Sequence, residues 1–126
     1  MEGIRLGKLQ QIALVQHDVA KAVPFYRDGL GLPLQFEMAG MAFFDAGGVR
    51  LMLTKPSASE FDHANSILYF EVPDCQAAYD ALKARGVPFD DLPHLVGKTA
   101  THEIWMCFCR DPERNLIGIA EQRPIG

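Results

Sequence analysis

The chain states one pattern twice. Residues 9–16, LQQIALVQ, form an apolar run of strand type, and Asp18 then stands as N-cap to VAKAVPFYRDGL, which runs into Gly29 and Gly31. Residues 66–72, SILYFEV, form a second apolar run, and Asp74 caps CQAAYDALKAR, which stops at Gly86 before Val87-Pro88. The two caps lie 74 − 18 = 56 positions apart and the two glycines 86 − 29 = 57, so the register of the unit is kept to one residue. Each half of the chain must therefore build the same supersecondary unit.

The extended segments that follow each helix complete that unit. In the first half they are expected near 33–38 (PLQFEM), 41–45 (MAFFD) and 48–54 (GVRLMLT), the last two joined by a tight Ala-Gly-Gly turn. In the second half they are expected near 88–90, 102–109 (HEIWMCFC) and 115–121 (NLIGIAE), the last two joined by the turn-forming string Arg110-Asp111-Pro112-Glu113-Arg114. Both halves read βαβββ. The intervening KPSASEFDHAN is polar and turn-rich, suited to a surface crossover. Pro24 lacks the N–H that an inner helical residue donates, so it should kink or shorten the first helix.

A length of 126 residues with 48% hydrophobic and 22% charged side chains fits one domain, 1–126, with modules at about 8–55 and 65–122. The formal charge is −4, and no Lys/Arg cluster is dense enough to track a phosphate backbone, which argues against nucleic acid. The N-terminus shows no signal-type apolar region, and no run approaches the ~20 apolar residues of a membrane span. The expected location is cytoplasmic, away from membranes. Cys75, Cys107 and Cys109 are odd in number and lack C-x-x-C spacing, so reduced, buried thiols are expected.

Phe25-Tyr26-Arg27-Asp28 before Gly-Leu-Gly, after a strand and an Asp, resembles the first module of the vicinal oxygen chelate superfamily, which includes glyoxalase I, bleomycin-resistance proteins and extradiol dioxygenases. Arg110-Asp111-Pro112-Glu113-Arg114-Asn115 is similar to that family's closing D-P-x-G-N turn, with Arg114 where the family usually has Gly. The resemblance covers residues from about 9 to 121. It implies an α+β fold in which two βαβββ modules pair curved sheets around a cleft, and it places one metal ligand on each of four strands.

Counting along this sequence puts those four positions at Gln11, Met52, Ile67 and Gly118. An amide is a weak ligand, while a thioether, a hydrocarbon and a hydrogen offer a hard ion nothing to replace its hydration. The expectation is that the family's metal site is lost and that no metal or other cofactor is used. The same four positions, with Arg50 and Trp105, become candidates for binding an organic ligand. Parity places Arg50 on the face of Met52, where a charge on a central strand needs a salt bridge or a ligand anion.

His94, His102 and Glu103 lie in LPHLVGKTATHEIW and are the candidate catalytic residues, as a displaced metal site or a His–Glu pair for proton transfer. His102 and Glu103 are neighbours and point to opposite faces of an extended segment. His17 and His63 read as solvated. Two functions follow. One is a metal-independent small-molecule-binding protein of the bleomycin-resistance type, a homodimer whose acidic, aromatic-rich cleft would suit a cationic, partly planar ligand. The other is a glyoxalase-like lyase or isomerase acting on a small oxygenated substrate through the displaced His/Glu site.

Overall fold

Asp18 and Asp74 each do what an N-cap does. Asp18 Oδ1 accepts the Lys21 amide at 3.1 Å and Asp74 Oδ1 accepts the Ala77 amide at 3.0 Å, satisfying donors that the first helical turn leaves free. In the computed structural model, which describes residues 3–126, they start α1 (Val19–Pro24) and α2 (Cys75–Ala84). Pro24 does end the α-helical pattern: Phe25–Gly29 continues as a wider π-type turn, in which the Leu30 amide reaches the Phe25 carbonyl at 2.8 Å.

The first module adds β1 (Gln11–Val15), β2 (Leu34–Met38), β3 (Met41–Ala46) and β4 (Val49–Thr54). The second adds β5 (Leu68–Glu71), β6 (His94–Lys98), β7 (His102–Arg110) and β8 (Leu116–Pro124). The sheets have matching orders, β1-β4-β3-β2 and β5-β8-β7-β6, with the first strand of each module parallel to the last. The architecture is α+β, a βαβββ unit repeated. One strand differs from expectation. Residues 88–90 supply only an isolated bridge from Phe89 to Cys109, and the second module's missing strand is β6, whose pairing with β7 slips at a bulge between Leu95 and Gly97.

Alternation sends one face of each sheet against the helices. Leu14, Phe44, Leu51 and Leu53 of the first module join Tyr26 of the π-turn, and with Tyr79, Leu82, Cys107 and Ile117 of the second they form one continuous core. Full burial of such a side chain contributes about 1.5–3 kcal/mol. The cysteines are free and buried there, with Cys75 Sγ 3.7 Å from Cys107 Sγ; burial raises the pKa of all three thiols, that of Cys109 to about 12.

A second tie between modules is polar. Asp111, in the turn between β7 and β8, is buried, and its carboxylate accepts five hydrogen bonds. Three come from its own turn: the Glu113 and Asn115 amides and Asn115 Nδ2, each at 2.9 Å. Two come from the first module: Gln16 Nε2 at 2.6 Å and the Tyr26 hydroxyl at 2.8 Å. Burial and the Asp111 charge push the Tyr26 pKa far up, so the phenol stays a donor. Arg114 closes the turn at φ +71, the left-handed region that favours glycine, its amide bonded to the Asp111 carbonyl and its carbonyl to Arg110 Nη1.

His17 supports the same junction from outside. Its ring nitrogens lie 2.7 Å from Asp62 in the crossover and 2.7 Å from Glu113 in the turn, and the bonds to Asp62 and then Glu113 raise its pKa above 6.5. It is solvated, as expected from sequence, yet fixed at both ends.

Removing the donor alone, in Tyr26→Phe, should lower the free energy of unfolding by about 1–2 kcal/mol in urea. Asp111→Ala strands donors from both modules and should cost more than about 3 kcal/mol. An Asp111→Ala loss no larger than that of Tyr26→Phe would contradict the role given to this carboxylate.

Candidate functional site

The faces turned away from the core are where unusual side chains collect. On the first sheet, strand pairing aligns Phe36, Phe43, Met52 and Ala13 in one row, and Asp45, Arg50 and Gln11 in the next. Phe36 and Phe43 stack with centroids 4.3 Å apart and planes at 21°. Phe36 stays 42% exposed while Phe43 is buried beneath its neighbours. The Arg50 guanidinium carbon lies 5.8 Å from each ring centroid, and Gln11 Nε2 lies 3.8 Å from Met52 Sδ. Gln11, Arg50 and Met52 thus share one face, which follows from their parity.

The second sheet presents Tyr69, Phe108, Met106 and Gly118 on its corresponding face. Tyr69 pairs directly with Gly118 across β5 and β8, is 55% exposed, and meets Phe108 edge-on at 5.9 Å. A Cβ built on Gly118 would lie 2.5 Å from Tyr69 Cδ2 and 3.2 Å from Phe108 Cε2, so the ring of Tyr69 takes the space that a side chain at 118 would need. Ile67 precedes β5 rather than lying on it, and is 45% exposed.

Trp105 belongs elsewhere. It shares parity with Cys107 and Cys109 and packs against the core side of its sheet, with Arg123 stacked on its ring at 4.3 Å and its Nε1–H donated to Glu103 at 3.0 Å. The buried thiols two and four residues on were the signal in the sequence that this face is the inner one. Glu103 lies on that same face, near Lys98. His94 pairs with Met106, four residues from His102 along β7, a separation of about 13 Å in an extended strand. His94 Nδ1 faces the Leu92 carbonyl at 2.8 Å, and His102 Nδ1 the Thr101 hydroxyl at 2.8 Å. The three candidate catalytic residues are therefore not gathered into one site.

A family model described as the Glyoxalase/Bleomycin resistance protein/Dioxygenase superfamily matches residues 8–119. The uncharacterized protein YraH of Bacillus subtilis (strain 168) is 32% identical over 126 residues, covering 89% of this chain and 96% of its own. Among solved structures, a glyoxalase/bleomycin resistance protein/dioxygenase from Nocardioides superposes with a TM-score of 0.79 at 22% identity, over 99% of this chain and 89% of that one. Lactoylglutathione lyase from Agrobacterium tumefaciens gives 0.75 at 23% identity, over 92% and 94%. At these identities the structural likeness speaks for the fold.

A metal of the kind such folds hold does not fit the residues present. Gln11 brings one neutral amide, Met52 a thioether that already meets it, Ile67 a hydrocarbon, and Gly118 no side chain and no room for one. Among the described residues, no three His, Cys, Asp or Glu side chains are grouped to hold an ion.

Because Tyr69 fills the position above residue 118, restoring a ligand there takes more than one change. Gly118→Ala is expected to destabilise the protein by about 1–3 kcal/mol through overpacking. Tyr69→Ala in the same chain should return most of that loss relative to Tyr69→Ala alone, as read in urea denaturation. Additive losses in the double variant would show that the two sites do not compete for the same space.

Proposed function

This chain belongs to the glyoxalase/bleomycin resistance protein/dioxygenase superfamily, and on that premise we propose that it is a metal-independent small-molecule-binding protein. The observation that carries the reading is the stacked Phe36–Phe43 pair beside Arg50 and Met52, on a sheet face that no helix among the described residues covers. A side chain such as Phe36, apolar and 42% exposed on a strand, gives up favourable burial unless something else covers it. Flat aromatic walls with a few polar groups are what an organic ligand needs for contact area and orientation.

The second module offers a matching wall in Tyr69, Phe108 and Met106. Exposed apolar residues on both open faces, together with Ile4, Leu6 and Leu9 ahead of β1, favour a homodimer in which copies cover one another. No helix among the described residues is long and apolar enough to cross a membrane, and the reading places the protein in the cytoplasm.

Nile red, planar and uncharged, should gain fluorescence on mixing with the protein, which should sediment as a dimer at tens of micromolar concentration. Phe36→Ala combined with Tyr69→Ala should remove most of the gain without unfolding the chain. Full dye binding by the folded double variant would place the ligand surface elsewhere, and a monomer would remove the dimer from the proposal.

A further inference from the structure

The charge of Arg50 meets no carboxylate among the described residues. It sits on β4, the second strand in its sheet, flanked by Gln11 on β1 and Asp45 on β3. A half-buried guanidinium in an acidic chain would ordinarily take a carboxylate, and the other strand arginines do: Arg110 pairs with Asp90 at 2.8 Å and Arg123 with Glu121 at 2.9 Å. Among the described residues Arg50 has neither an ion pair nor a side-chain hydrogen bond. The adjacent carboxylate is turned to its own loop, where Asp45 Oδ1 accepts the Gly48 amide at 2.8 Å.

What holds the guanidinium in place is the pair of aromatic rings, 5.8 Å from each centroid. That contact fixes the side chain through its face and leaves the N–H fork free to donate. A second cation lies nearby: Lys8 Nζ comes within 3.6 Å of where a Cβ on Gly48 would stand, in the turn that leads into β4 two residues before Arg50, and it too has no ion pair among the described residues. Two free cations at one end of an aromatic wall fit a molecule that carries a negative head and a flat body.

We infer that the ligand of this face is a planar organic carboxylate, its carboxylate held bidentately by Arg50 with Lys8 adding charge, and its ring system laid against the exposed Phe36 ring, which Phe43 backs. The inference rests on the reading of this face as a small-molecule site. It reverses the ligand charge expected from composition: the net charge of −4 belongs to the whole surface, whereas recognition is set by the groups that line the face.

Three naphthalene probes of nearly equal shape test it by calorimetric titration: 2-naphthoate, the uncharged 2-naphthalenemethanol, and 2-naphthylmethylammonium. The acid should bind about ten-fold or more tightly than the alcohol, the scale of one charge-assisted hydrogen-bonded pair, and the amine no better than the alcohol. Arg50→Gln should bring the acid's affinity down to that of the alcohol measured on the same variant. Lys8→Gln, on the exposed segment before β1, should reduce the preference in part, and its folding does not depend on that of the Arg50 variant. Equal binding of acid and alcohol, or tighter binding of the amine, would overturn the inference while the site itself stands. Failure of all three to bind at millimolar concentration would overturn both.

Discussion

A buried carboxylate holds the two halves of this protein in one arrangement. Asp111 lies in the turn between the last two strands of the second module, and it accepts Gln16 and Tyr26 from the first at 2.6 and 2.8 Å. A charge withdrawn from water is tolerated only when its lone pairs are occupied, and five donors occupy these. Every donor must be in place at once. That makes the carboxylate a positional constraint on both modules, where the apolar core alone would accept small slips of one against the other. The strained φ of Arg114 in the same turn is held by hydrogen bonds from both sides.

With the modules fixed through their inner faces, their outer sheet faces are left to other uses. On the first sheet the result is a stacked aromatic pair with a guanidinium against it; on the second it is a tyrosine lying over a glycine. Both arrangements are unsuited to a hard ion, one by supplying a thioether and a neutral amide, the other by filling a ligand's space with a ring. What these faces carry is aromatic surface and, at Arg50, a guanidinium without an ion pair among the described residues. The scaffold is thus shared with the superfamily, while the side chains on its open faces are this chain's own.

Much of this was legible in the residues. The duplicated unit, both caps and the effect of Pro24 follow from local rules, and the face shared by Arg50 and Met52 follows from period-two alternation. Strand β6 was not legible, because the bulge between Leu95 and Gly97 breaks the alternation by which a short strand is recognised. The aromatic chemistry of Trp105 suits a ligand face, whereas its parity with Cys107 and Cys109 turns it inward against the core. The contacts of Asp111 span 85 and 95 residues, and no local pattern encodes a partner at that distance. The Tyr69–Gly118 contact depends on the parallel register of β5 and β8, which the sequence of either strand leaves open.

This member of the superfamily is expected to keep its fold and its open faces without a bound ion. Thermal unfolding before and after exhaustive chelation, with metal content measured on the same samples, tests it directly, because an ion bound to the native state raises the midpoint by mass action. The expected result is the same midpoint in both samples and no stoichiometric metal in either. A fall of several degrees on chelation, restored by adding back a divalent ion, would contradict it.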